Sequence, residues 1–307
     1  MSEAYRAFAP AKINLFLHVG APREDGRHPL DSLVVFAGRE AADILEARRA
    51  DADSLHVDGP YAQALGEGEN LISDALSRLR GQARIDDVHN SPVAFTLTKH
   101  LPVAAGIGGG SADAAAALRL LTRQLFDLPA RVASDLAPQL GGDVLACVFN
   151  TPAQMRGDGD RVLPLLQGPL LDLFDPRRGG GLPAVLVNPG VPCPTGPVFR
   201  QYDQARPAPL EEIELPRITS RNDLYTWLEA STRNDLQSSA IDLVPEIGGL
   251  LDRLSRLKGV RLARMSGSGA TCFALFNHMD DALLAQSELM REAPDWWVRA
   301  TRLGEGV

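Results

Sequence analysis

The chain has 307 residues, and 31 Lys and Arg against 39 Asp and Glu leave a formal net charge of −8. With 45% hydrophobic and 23% charged residues it can bury real cores, and its length suits one large domain or two ordinary ones. An acidic balance argues against a general nucleic-acid or membrane-surface binder, which needs a cationic face, but leaves room for a local anion site. Three dispersed cysteines, Cys147, Cys193 and Cys272, form no CxxC pair and point to a reducing compartment rather than a disulfide framework or zinc knuckle. The opening segment carries Glu3 and only a short apolar run, and no later stretch reaches about 18 apolar residues. These features predict a soluble, cytoplasmic protein.

Of the 31 basic residues only three are lysine, Lys12, Lys99 and Lys258. A compact ammonium on a flexible stem does work that a guanidinium does not, so lysines kept in an arginine-rich chain are candidates for function.

In chain order, residues 13–19 read as a strand and residues 20–29, with Gly, Pro, Asp and Arg, as a loop. Residues 33–36 are a second apolar run and 54–57 a strand. Residues 70–79 place Leu71, Ile72, Ala75, Leu76 and Leu79 on one helical face, and the β-branched alternation of 93–98 predicts a strand. Ala114, Ala115, Leu118, Leu121 and Leu125 recur at helical spacing and predict a helix over 111–126, with Ser111 as its N-cap. A second helix over 130–140 ends at Gly141 and Gly142, and after Asp143 comes an apolar run, 144–149. Between residues 167 and 182 Pro, Gly and paired Arg mark a hinge, which divides the chain into domains 1–166 and 167–307. Beyond it, 184–187 is a buried-type strand, 188–197 a Pro-rich extended loop, 223–229 and 245–257 helices, 263–265 and 272–276 strands around a glycine turn, and 280–291 a closing helix.

Gly106, Gly108, Gly109 and Gly110 fall within five residues, after a strand and before the long helix. Glycine lets backbone N–H groups face a ligand, and the helix end adds unpaired N–H groups and its positive dipole, so the pattern suits a phosphate. Ser111 adds a hydroxyl for a phosphate or its metal. No Lys follows the glycines, which excludes a P-loop, and Ser111 stands where a dinucleotide fingerprint needs its last Gly. A second glycine segment, with Gly267 and Ser268, lies near the C-terminus between two apolar runs. Alone it is an ordinary turn; paired with the first it can cover the same ligand.

Three segments in this order, Pro10-Ala-Lys-Ile-Asn-Leu, Leu101-Pro-Val-Ala-Ala-Gly-Ile-Gly-Gly-Gly-Ser-Ala-Asp and Ser266-Gly-Ser-Gly-Ala-Thr, resemble the GHMP kinases over nearly the whole chain. The Lys-Ile-Asn of the first motif, Asp25-Gly-Arg-His, Glu69-Asn-Leu-Ile and Gly141-Gly-Asp-Val look most like the branch acting on a cytidine diphosphate ester of methylerythritol in non-mevalonate isoprenoid synthesis. The resemblance implies an α+β, two-domain fold, with a ribosomal protein S5 domain 2-like N-terminal domain and a ferredoxin-like C-terminal one. It also implies ATP-dependent phosphorylation of that ester's 2-hydroxyl, ATP and Mg²⁺ as cofactors, and a small-molecule partner with no nucleic acid or membrane. By the same likeness Asp143 is the catalytic base and Lys12 the lysine that steadies it and the developing charge. Asn70, Leu71, Lys99, Pro102, Ala104, Ala105, Gly106, Ile107, Gly108, Gly109, Gly110 and Ser111 would serve ATP. Asn14, Arg27, His28, Thr195, Gly267 and Ser268 would serve the alcohol. The pattern departs where the family carries tyrosine at Arg27, an aromatic at Val34, glycines at Ala104 and Ala105 and proline at Leu145. Another GHMP kinase with a different alcohol, or a non-catalytic nucleotide binder on the same fold, are the alternatives.

Overall fold

The computed structural model describes residues 3–66, 70–82, 86–304 and 306; Glu69, one residue of the Glu-Asn-Leu-Ile motif, lies outside them. The chain opens with β1 (Tyr5–Pro10), β2 (Lys12–Val19), β3 (Leu30–Phe36), β4 (Ala42–Arg49) and β5 (Ser54–Asp58), then α1 (Leu71–Gln82), α2 (Asp86–Asn90) and β6 (Val93–Thr98). After α3 (Gly109–Arg119), α4 (Arg131–Leu136) and α5 (Val144–Phe149) come β7 (Ala153–Gly157) and β8 (Arg161–Pro164). These strands form two sheets, in the orders β1-β4-β6-β5 and β2-β3-β7-β8, with only the β5–β6 pairing parallel. The rest of the chain holds α6 (Pro169–Asp172), β9 (Leu182–Asn188), α7 (Thr195–Gln204), α8 (Arg221–Ser231), α9 (Gln237–Leu243), α10 (Glu246–Ser255), β10 (Val260–Met265), β11 (Cys272–Phe276), α11 (Met279–Glu292) and β12 (Trp297–Leu303). Its strands make one antiparallel sheet, β10-β11-β9-β12.

Strand β2 is buried along its whole length, and its side chains feed two cores. Ile13, Leu15 and Phe16 join a core shared with Leu182, Ala184, Leu186, Phe273 and Trp297, while Leu17 and Val19 join the core beneath α10 and α11. One strand thus touches both halves of the chain, which is why residues near its start can reach a loop beyond residue 260. Helix α3 is almost wholly Ala on its buried side, and those small side chains let it pack closely against α1, α5 and β1.

Several expectations shift. Helix α3 begins at Gly109, with Gly108 at the N-cap in the left-handed region (φ 64°), so Ser111 is not the cap but lies inside the first turn. The helix also does not run evenly to residue 126: from Leu120 to Leu125 it widens to a π-helical turn, where the Thr122 hydroxyl bonds back to the Leu118 carbonyl (2.7 Å). The Pro-rich loop ends sooner than expected, because Pro194 caps α7 and Pro197 sits in its first turn, where no N–H is required. Thr195 is therefore a helix-start residue. Strands β1, β4, β7, β8 and β12 carry no expectation from sequence; in β4 the charges of Asp43, Glu46, Arg48 and Arg49 blur the alternation.

Residues 206–219 carry no regular structure and run along the sheet of β2, β3 and β7, held at Ile213. Asp31 Oδ2 accepts the Ile213 N–H (2.7 Å), while Gln154 and Arg156 donate to the Ile213 carbonyl (2.9 and 2.8 Å). Arg156 also pairs with Glu212 (2.9 Å). Asp31 is fully buried, so Asp31→Ala leaves the Ile213 N–H without its acceptor, while Arg156 keeps Glu212 and the Ile213 carbonyl. Leaving a buried donor unsatisfied costs about 2 kcal/mol. Urea denaturation should show a lower midpoint with an unchanged slope; an unmoved midpoint would remove this anchor from the stability of the fold.

Candidate active site

A cavity of about 390 Å³ opens where β2, the glycine loop, the start of α5, the start of α7 and the β10–β11 turn come together. Its wall holds Lys12, Asn14, Leu71, Ala104, Ala105, Gly106, Gly108, Gly109, Gly110 and Ser111 from the first half of the sites read from sequence. Asp143, Thr195, Gly267 and Ser268 complete the set. Arg27 and His28 line an adjoining cavity of about 640 Å³, which shares Leu30 and Phe199 with the first. Asn70, Lys99, Pro102 and Ile107 line neither. The Asn70 side chain instead accepts the Ile72 N–H (2.9 Å) at the start of α1, and Pro102 and Ile107 are buried.

Lys12 and Asp143 meet at 2.8 Å across 131 residues of sequence. The lysine is buried, whereas the Asp143 side chain keeps 35% of its surface exposed toward the cavity. Backbone contacts fix the pair: the Lys12 N–H donates to the Ile107 carbonyl of the glycine loop (2.9 Å), and Asp143 sits at the N-terminus of α5, where Cys147 donates to its carbonyl (3.1 Å). Both occupy the same wall as Gly108, whose added Cβ would fall 3.4 Å from Lys12 Cβ and 3.6 Å from Asp143 Oδ2. Gly108 has no side chain to cap α3, so the N–H groups of Gly109, Gly110 and Ser111 face the cavity end of the helix, and Ala112 is the residue that bonds back to Gly108 (2.8 Å).

The C-terminal glycine segment lies directly on this loop. A Cβ on Gly106 (φ +72°) would fall 2.6 Å from the Ser266 carbonyl and 2.7 Å from that of Gly269, so only glycine lets the two backbones approach. Ser266 donates to the Gly106 carbonyl (3.1 Å), Asn14 N–H donates to Ser266 Oγ (3.2 Å), and Thr271 N–H reaches Ala105 (3.2 Å). Ser268 Oγ pairs with Thr195 Oγ1 (2.8 Å). Asn234, which sequence reasoning missed, props the segment by donating to the carbonyls of Met265 and Gly267 (both 2.8 Å). Nothing local to residue 234 marks it; its role exists only once the turn is folded over it.

Ser32 was missed as well. Its hydroxyl donates to the Phe16 carbonyl (2.6 Å) and accepts from Asn14 Nδ2 (2.8 Å), which fixes the Asn14 amide and leaves Asn14 Oδ1 buried with no partner among the described residues. In the adjoining cavity the His28 ring lies 4.9 Å from that of Phe199. His28 Nδ1 is 3.0 Å from the Gly20 carbonyl, which can only accept, so that nitrogen carries the hydrogen. Arg27 is exposed, with its guanidinium 3.4 Å from Asp158, which also pairs with Arg23.

Lys99 lies beneath the loop, 1% exposed, between Asp43 and Asp113 (2.7 Å to Asp113). Burial draws its ammonium down, but the charges of Asp113 and Asp43 outweigh that and leave it raised. Burial pushes the Asp113 carboxyl up to about 7, against the pull of Lys99 and with the help of Asp43. Among the described residues no group of three His, Cys, Asp or Glu forms a protein-only metal cage.

The chain is similar to known proteins in sequence and in fold. Residues 70–151 match the family described as GHMP kinases N terminal domain, and residues 213–295 the one described as GHMP kinases C terminal. A 4-diphosphocytidyl-2-C-methyl-D-erythritol kinase of Hyphomonas neptunium is 48% identical over 302 residues, covering 97% of this chain and 96% of that protein. One from Caulobacter sp. (strain K31) is 44% identical, covering 97% and 98%. A crystal structure of 4-(cytidine 5'-diphospho)-2C-methyl-D-erythritol kinase superposes with a TM-score of 0.74 at 31% identity, covering 98% of this chain and 99% of that one. A homoserine kinase from Cytophaga hutchinsonii, 16% identical with a TM-score of 0.62 and covering 98% and 96%, shares the fold.

The raised Asp113 has a consequence for pH. A carboxyl whose folded value, about 7, lies above its ordinary value of 3.8 binds more protons when folded. The stability it lends is complete below the ordinary value and is lost as pH rises through about 7. Urea midpoints should therefore fall between about pH 5 and about pH 8, and fall less in Asp113→Asn, whose amide does not titrate. An identical fall in both proteins would place the proton elsewhere.

Proposed function

The chain belongs to the GHMP kinases, and on that premise we propose that it transfers the γ-phosphoryl group of ATP to the 2-hydroxyl of 4-diphosphocytidyl-2-C-methyl-D-erythritol. The observation that carries this reading is the Lys12–Asp143 pair, 2.8 Å apart, on one wall with an uncapped, glycine-led helix N-terminus. The alcohol's hydroxyl loses its proton to Asp143 Oδ2 as its oxygen bonds to the γ-phosphorus, and the bond from that phosphorus to the bridging oxygen breaks to release ADP. Lys12 orients Asp143 and offsets charge on the attacking oxygen and the moving phosphoryl group. The N–H groups of Gly109, Gly110 and Ser111 hold phosphate oxygens.

Mg²⁺ fits the donor set. This ion keeps several waters and binds largely through substrate phosphates, and the cavity offers the Ser111 hydroxyl beside the α3 N-terminus. It would be carried on the phosphates and held by Ser111, where it would neutralise phosphate charge.

Asn14 supports the alcohol's place. Its buried, unpartnered Oδ1 needs a donor, and a second hydroxyl of a polyol supplies one. The adjoining cavity with His28, Phe199 and Arg27 has an aromatic wall and a guanidinium for a base and its diphosphate.

An assay of ADP release should show turnover of the cytidyl alcohol, with Asp143→Asn and Lys12→Ala each slower by about 10²–10⁴-fold. Turnover of mevalonate or homoserine in its place would move the substrate assignment, and full activity in Asp143→Asn would remove the base.

A further inference from the structure

The two partners of Lys99 hold opposite ends of the glycine loop. On the entry side, Asp43 on β4 takes the ammonium on Oδ2, while its Oδ1 accepts the N–H groups of His100 (2.5 Å) and Leu101 (2.8 Å). On the exit side, Asp113, one turn into α3, accepts from the same ammonium at 2.7 Å. One buried cation thus spans everything from residue 101 to residue 113. Gly109 rests on it: a Cβ there would lie 3.3 Å from Lys99 Nζ and 3.8 Å from Leu101 Cβ.

We propose that Lys99, with Asp43 and Asp113, is a positioning staple for the phosphate loop, setting the separation between the loop's entry and the α3 N-terminus and so the aim of the Gly109, Gly110 and Ser111 N–H groups. This rests on the ATP reading above and goes beyond it, because Lys99 acts through the backbone rather than by touching the nucleotide. The charge count supports the staple. Two carboxylates against one ammonium would leave a net −1 under an anion site, and Asp113 Oδ1, buried with no partner among the described residues, is the place for a neutralising proton.

Asp113→Ala cuts the exit side while leaving a neutral Lys99–Asp43 pair and an excellent helix former. Calorimetric titration with Mg²⁺–ADP reads the loop without needing the alcohol. The dissociation constant should rise about tenfold, as for a displaced binding group, with the KM for the alcohol unchanged. Asp113→Asn, which keeps an oxygen for the ammonium, should stay within about twofold on the same grounds. Gly109→Ala deletes no polar group and presses its Cβ on the ammonium, so it should weaken ADP as Asp113→Ala does. Unchanged affinity in whichever of Asp113→Ala and Gly109→Ala folds overturns the staple. Tighter binding in Asp113→Ala would mean a freed ammonium reaching the nucleotide, and also overturns it. A wild-type protein that binds no ADP overturns the kinase reading itself.

Discussion

Two stretches of bare backbone in contact are the constraint on which the site depends. Gly106 and Gly267 each lie where a Cβ would fall 2.6 Å from a carbonyl oxygen of the other loop's chain segment. Backbones pressed this close lose their water, so their polar groups must be satisfied by neighbours. Ser266, Thr271 and Asn234 supply the bonds. Because β2 runs beside both loops, the same contact places Lys12 against Ile107 on one side and Asn14 against Ser266 on the other. The geometry of the cavity follows from one tight seam rather than from any single side chain.

That seam also reconciles an acidic chain with anionic ligands. A net charge of −8 repels polyanions at long range, yet the cavity wall offers oriented N–H groups, a helix terminus and one buried ammonium within a short distance. Screening confines the unfavourable field to about 10 Å at ordinary ionic strength, while local dipoles act at contact.

What could be read from sequence was local. The glycine loop, the strand after Lys12 and the long Ala-rich helix announce themselves by composition and period, and most of the residues marked for the site do gather on one wall. Ser111 was misplaced because a serine before an apolar period looks like a cap, while the left-handed turn at Gly108 had already started the helix. Lys99 was read as facing the nucleotide; only the packing of β4 against β6 reveals Asp43 waiting for it. Asn234 and Ser32 carry no local signature, since each works on a carbonyl or an amide brought from elsewhere in the chain. Lys12 and Asp143, 131 positions apart, carry no pairing signal of their own; the family likeness singled them out together.

The order of synthesis gives β2 one more meaning. Within this chain β2 is made before its neighbours on the cavity side, which arrive near residues 107 and 143 and then beyond residue 265. A nascent chain that has not yet reached β10 lacks the cover that Ser266 gives the Asn14 N–H and the Gly106 carbonyl, and the part that Phe273 and Leu275 add to the core around Phe16. During that interval the part-made protein presents an open, sticky seam where the finished one has a pocket, and closure comes as a late event of folding.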